Sequence, residues 1–151
     1  MAGPLDEIVQ LAADIEKWPE ILSHYRWVKL LDGGGDSRVV EMAARRGRIP
    51  VKWRAEQEIQ RDGPTPVIHF HHIWGGTRGM EVDWLFDPQP DAVDVTIQHD
   101  FQPLWPLIGK TVIGSAIANH IVGPQFVSAI AGKTLATIKD IVEGRDPRFP
   151  R

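Results

Sequence analysis

Two polar side chains occupy positions where a strand pattern calls for apolar ones. In residues 49–59, Val51, Trp53, Ala55, Gln57 and Ile59 alternate with Lys52, Arg54, Glu56 and Glu58. In residues 92–101, Val93, Val95, Ile97, His99 and Phe101 alternate with Asp94, Thr96, Gln98 and Asp100. A period of two sends each set to its own face of a sheet. Gln57 and His99 therefore sit on apolar, aromatic-rich faces, where each needs a hydrogen-bond partner. Either both are satisfied core groups, bonded to each other or to backbone, or they orient a ligand. In the second case His99 is the group able to move a proton near neutral pH.

Three other constellations have a plainer reading. His69 and His71 of the run His-Phe-His-His share a strand face that two zinc ligands could use, but no third ligand is visible from spacing, and solvated histidines are expected instead. Arg45, Arg46, Arg48, Lys52 and Arg54 crowd five positive charges into ten residues, a pattern that could touch RNA phosphates. Lys52 and Arg54 alternate with apolar residues, however, and Glu56 and Glu58 follow, so a solvated outer face accounts for them better. Gly75-Gly76-Thr77-Arg78-Gly79 lacks the helix and the Lys-Ser/Thr pair of a phosphate-binding loop and reads as a hairpin, with Arg78 able to reach a pocket mouth. No Ser/His/Asp triad, His-Glu-x-x-His sequence or dinucleotide fingerprint is present. No metal and no cofactor is expected.

The elements that position these residues follow from periodicity. Residues 5–15 carry Leu5, Ile8, Val9, Ala12 and Ile15 near one helical stripe. Trp18-Pro19 suits the start of a short helical turn, since proline fits the first helical position. The chain then becomes strand-like up to Asp32-Gly33-Gly34-Gly35-Asp36, so Trp18, Tyr25 and Trp27 are expected together at a helix-to-strand corner. A corner with that much aromatic area borders a core or a pocket. Further strands are expected at 37–44, 49–59, 66–73, 80–86, with Met80, Val82, Trp84 and Phe86 on one face, and 92–101, separated by turn formers. From 105 to 144 the period is helical through Leu107, Val112 and His120 to Ile130, Leu135 and Val142, and Gly123-Pro124 should kink or split it. Residues 1–144 thus form one α+β domain. A curved antiparallel sheet wraps a long C-terminal helix, leaving a cavity between them, and 145–151 is a loose tail.

Composition narrows the function classes. The 151 residues suffice for one domain with a real core, and 42% hydrophobic with 25% charged residues is ordinary for a globular protein. A net charge of −3 gives no global reason to expect DNA or an anionic membrane surface. With no cysteine there are no disulfides, thiolate chemistry or Cys-based metal sites. The start, Met-Ala-Gly-Pro-Leu-Asp-Glu, has neither the basic nor the apolar region of a signal peptide, and the most apolar window, around 112–131, is too polar to span a bilayer. A cytoplasmic location without membrane insertion is expected.

The order of elements, with Trp18-Pro-Glu-Ile-Leu-Ser-His-Tyr-Arg-Trp-Val, the strand containing Trp53, Gly79-Met-Glu-Val-Asp-Trp84 and the closing helix through Glu143, resembles the polyketide cyclase/dehydrase branch of the SRPBCC (START-like, helix-grip) superfamily. The resemblance implies a helix-grip fold of six strands, or seven with an N-terminal strand that is not visible before Leu5. It implies an apolar ligand between sheet and helix, and in some members cyclisation and dehydration of poly-β-ketones tethered to an acyl carrier protein. By position it places Trp18 and Tyr25 at the pocket mouth and Trp53 inside. The enzymes of that branch carry serine and then arginine after this tryptophan on the same face, where this chain has Ala55 and Gln57. If chemistry occurs, His99 is the expected acid/base, with Tyr25 and Gln57 holding carbonyl oxygens. The expected lining is Trp18, Tyr25, Trp53, Ala55, Gln57, Trp84, Ile97, His99, Phe101 and His120. The rivals are a non-catalytic lipid or quinone carrier and an interaction protein using the Arg45–Arg54 face on RNA. A missing first strand would bare a sheet edge and favour a homodimer.

Overall fold

The computed structural model describes residues 1–101 and 124–149. Helix α1 (Leu5–Ala13) buries Ile8, Val9, Ala12 and Ala13, the stripe its spacing sets up. A 3₁₀ turn (Ile15–Lys17) leads into the short helix α2 (Trp18–Ile21), with Pro19 in its first turn. Six strands follow: β1 (Tyr25–Gly34), β2 (Ser37–Arg46), β3 (Ile49–Gln60), β4 (Val67–Gly75), β5 (Met80–Pro88) and β6 (Val93–Phe101). They pair antiparallel in chain order, β1-β2-β3-β4-β5-β6, as short hairpin connections require. Helix α3 (Pro124–Val142) closes the domain, contacting α1, β2 and β6, and Gly144 ends it with φ +67°. The result is the α+β helix-grip architecture: a curved six-stranded antiparallel sheet with helices on its concave side. The rest of the expected C-terminal helix, 105–123, lies outside the described residues.

The inner face alternates as the sequence predicts. Val40, Met42 and Ala44 on β2, Val51, Trp53, Ala55, Gln57 and Ile59 on β3, and Met80, Val82, Trp84 and Phe86 on β5 are all buried. β1 departs from this pattern. Its register slips between Tyr25 and Trp27, which pair with Ala44 and Ala43 respectively. Arg26 is thus the extra residue of a β-bulge, and a bulge reverses face parity beyond it. Tyr25 points inward, whereas Trp27 lies on the outer face with Lys29 and Lys52 5.0 and 5.5 Å from its ring. The expected corner therefore contains Trp18 and Tyr25 without Trp27.

His69 and His71, and Lys52 and Arg54 of the basic cluster, are paired with carboxylates on the outer face. His69 bonds Asp83 at 2.5 Å and Glu81 at 3.0 Å, and His71 bonds Glu81. Arg54 and Lys52 hold Glu41 at 2.8 and 3.1 Å. Among the described residues no group of His, Asp and Glu is arranged to hold a metal ion. The segment expected to be a loose tail is tied down through residue 149: Arg148 donates to Asp146 at 2.6 Å and to the Ile21 carbonyl at 3.0 Å. At the other end, Met1 exchanges two backbone bonds with Val93, of 2.7 and 2.9 Å, so a single residue pairs along the outer side of β6.

Candidate functional site

Trp18 organises the interior. It is 3% exposed and its Nε1–H donates to the Leu11 carbonyl at 3.2 Å, near the end of α1 where carbonyls lack helical partners. Around it stand Tyr25 (ring centroids 4.9 Å apart, edge-on), Trp84 (5.8 Å) and Phe70 (6.2 Å). Tyr25 continues to Trp53 at 6.0 Å, and Trp53 stacks on His72 at 5.8 Å with their planes 12° apart. Each such aromatic pair is worth about 0.5–1.5 kcal/mol beyond area burial.

These rings wall a cavity between the sheet and α3. With its open mouth included it contains about 590 Å³ of empty space, and its enclosed part is narrow. Aliphatic groups complete the wall: Met42, Val51 and Val82 from the sheet, and Val127, Ile130 and Ala131 from α3. The polar groups reaching it are Tyr25, His72, Thr77, His99 and Thr134.

Of the residues expected from sequence, Trp18, Tyr25, Trp53, Trp84, Ile97 and His99 come together on this wall. Ala55 and Gln57 do not reach it. Gln57 is fully buried, and its Nε2 donates to the Ala13 carbonyl at 3.2 Å, which Arg38 also approaches at 3.5 Å. Gln57 and Arg38 are register partners on β3 and β2, so together they cap the C-terminal end of α1. Gln57 is bonded neither to His99 nor to anything in the cavity, and its place is structural. Arg78 is exposed and away from the wall; its neighbour Thr77 is the turn residue that enters. The backbone of Phe101 pairs with Met80, and His120 lies outside the described residues.

His72, Thr77, Thr134 and His24 were missed. The alternation that puts His69 and His71 outside puts His72 inside with Phe70, so the signal for His72 was its parity. Its Nδ1 lies 2.6 Å from Thr77 Oγ1, and the turn carrying Thr77 starts at Gly75, whose φ is +100°. A Cβ at Gly75 would stand 2.5 Å from the Lys52 carbonyl oxygen, so only glycine lets β4 turn this close to β3. Thr134 donates to the Ile130 carbonyl at 2.9 Å, which uses its single proton. The 2.9 Å contact with His24 must then run from His24 Nε2–H to Thr134 Oγ1.

Burial sets the charge state of the site. It pushes His24 down to about 4, helped by Lys133, and His72 down to about 3, helped by His99 and His71. Burial also lowers His99 and raises the Tyr25 phenol. At neutral pH the cavity therefore presents neutral imidazoles and a neutral phenol against aromatic walls. His99 is exposed as well as lining, which places it at the mouth.

Residues 1–115 match the sequence profile of the family described as Polyketide cyclase / dehydrase and lipid transport. The chain belongs to that family. A curated relative named "Putative polyketide cyclase", from Streptomyces halstedii, is 26% identical over 97 residues, spanning 62% of this chain and 86% of the relative. Among solved structures, the Zhui aromatase/cyclase from Streptomyces sp. R1128 superposes with a TM-score of 0.77 at 17% identity, covering 95% of this chain and 89% of that one. A STAR-related lipid transfer protein from Xanthomonas axonopodis gives 0.68 at 15% identity, covering 95% and 81%. At such identities these two likenesses speak for the fold that this polyketide cyclase/dehydrase family member shares with them. Family and fold together support a site for a hydrophobic ligand. Among the described residues no helix is long and apolar enough to cross a membrane.

Proposed function

We propose that the protein binds a flat, hydrophobic, polycyclic or polyketide-like molecule in this cavity and carries out cyclase/dehydratase chemistry on it. One observation carries the reading: an aromatic wall of Trp18, Tyr25, Trp53, Phe70 and Trp84 opens at a mouth holding a neutral, accessible imidazole, His99. Apolar walls with a few convergent polar groups are the usual form of a small-molecule site. In the reaction, His99 takes a proton from the carbon beside a ligand carbonyl and returns it to the departing hydroxyl, which leaves as water. Tyr25 donates its phenolic hydrogen to the carbonyl oxygen where negative charge develops. Gln57 takes no part, because Ala13 holds it. Native mass spectrometry of protein purified from its own host tests the binding half: a co-purified aromatic molecule is expected, and a co-purified fatty acid would contradict it. For chemistry, His99→Ala should abolish turnover in a protein that still folds, and unchanged turnover would remove the assignment.

The withdrawal of Gln57 into the structure favours a second reading, a carrier of a lipid or quinone without turnover. Two partners follow from the leading reading: an acyl carrier protein delivering the tethered substrate, and a second copy pairing along β6. Beyond Val93 that edge has no neighbouring strand among the described residues. Light scattering is expected to give a dimer mass, and a monomer would count against the pairing.

A further inference from the structure

His72 is held unusually firmly for a side chain that faces a cavity. The Trp53 ring fixes its plane at 12° and 5.8 Å, and Thr77 Oγ1 fixes one edge at 2.6 Å. The ring is 5% exposed, yet its Nε2 makes no hydrogen bond among the described residues. The exposed ring of His99 likewise has no hydrogen-bond partner among the described residues, and it lines the same cavity. His99 pairs with Val82 on β5, and Val82 pairs on its other side with Phe70, two residues before His72. The two imidazoles therefore flank the same stretch of inner wall. Thr134 cannot serve in the same way, because Ile130 and His24 already engage its hydroxyl.

We propose that His72, locked by Thr77, and His99 form a paired imidazole clamp for an oxygen substituent of the ligand, which makes that ligand an oxygenated aromatic (a phenol, enol or aryl ketone) rather than a fatty chain or plain hydrocarbon. The inference rests on the cavity being the binding site, as read above. Thr77 makes the clamp adaptable. When its hydroxyl donates to Nδ1, the Nε2–H of His72 donates to a ligand carbonyl. When Nδ1–H donates to Thr77, Nε2 accepts from a ligand hydroxyl. One fixed ring thus suits both keto and enol forms. A fatty chain would instead leave the Nε2 of His72 buried against methylenes and unpaired, which is unfavourable.

The test compares 2-naphthol with 2-methylnaphthalene, probes of equal ring size, in calorimetric titrations of wild type and His72→Phe. His72→Phe should weaken 2-naphthol about tenfold and leave 2-methylnaphthalene within about twofold. Thr77→Val should weaken 2-naphthol by a smaller factor, and Thr77→Ser should restore it. In wild type, the ¹⁵N resonance of His72 Nε2 should shift with 2-naphthol and stay put with 2-methylnaphthalene. If His72→Phe does not fold, the Thr77 pair and the ¹⁵N shift decide. Should both probes bind wild type but the variants affect them equally, or not at all, the clamp is refuted and the cavity reading stands. Should neither probe bind wild type, the cavity reading fails and the clamp falls with it.

Discussion

Replacing Gln57 with leucine should leave ligand binding untouched and change stability very little, although the residue is fully buried on β3. Two terms oppose each other. The substitution loses the Nε2 bond to the Ala13 carbonyl, 3.2 Å long, for which a net loss of about 0.5–1.5 kcal/mol is usual. It also removes Oε1, a buried acceptor with no partner among the described residues, and leaving such a group unpaired costs about 1–3 kcal/mol. Leucine fills a similar volume, and Arg38 still approaches the carbonyl. The net change should therefore stay within about 1 kcal/mol of zero. Gln57→Ala behaves differently because nothing fills the space; by comparison with other large-to-small core changes it should cost about 2–5 kcal/mol. Urea unfolding measures both, alongside 2-naphthol titration of each folded variant. Near-wild-type stability of Gln57→Leu combined with a tenfold loss of 2-naphthol affinity would refute the reasoning, since Gln57 would then be touching ligand.

Other expectations follow from the same contacts. Trp18→Ala removes the ring on which three others pack and should lower the urea-derived stability by about 3–5 kcal/mol; a loss below about 1 kcal/mol would contradict its central place. Trp27→Ala, on the outer face, should leave titrations of any cavity ligand unchanged. His24 and His72 stay neutral in the folded protein down to about 4 and 3, whereas in the unfolded chain they gain a proton below about 6.5. Their contribution to stability is thus fully present above 6.5 and is lost as pH falls toward 4. At pH 5.5 the loss is about 1.4 kcal/mol for each. His69 works the other way: burial lowers its pKa, but the bond and charge of Asp83 outweigh this and raise it, so its contribution grows on acidification. Melting temperatures between pH 7 and 5 should therefore fall less in His72→Phe than in wild type, and parallel curves would sink the assignment.

The strand faces and the aromatic corner were legible because period-two alternation survives wherever pairing is regular. Trp27 was misplaced because one extra residue, Arg26, reverses parity, and bulges leave no mark in alternation alone. Gln57 was recognised as a polar exception, but its partner is a backbone carbonyl 44 positions away, at a helix end whose docking is a tertiary fact. His72 is readable by its parity with Phe70, but parity alone does not separate a core imidazole from one that faces a cavity. Thr77 looked like an ordinary turn residue, because only the close approach of Gly75 to Lys52 tips it inward.

The account stands on the cavity between sheet and α3 being the place where an aromatic molecule binds. Calorimetric titration of 2-naphthol into wild type and Ala131→Phe, which fills that cavity from the helix side, tests it most directly. Saturable one-to-one binding to wild type, lost in an Ala131→Phe protein that still unfolds cooperatively, is the predicted result. Equal binding to both, or no binding to wild type, would contradict it.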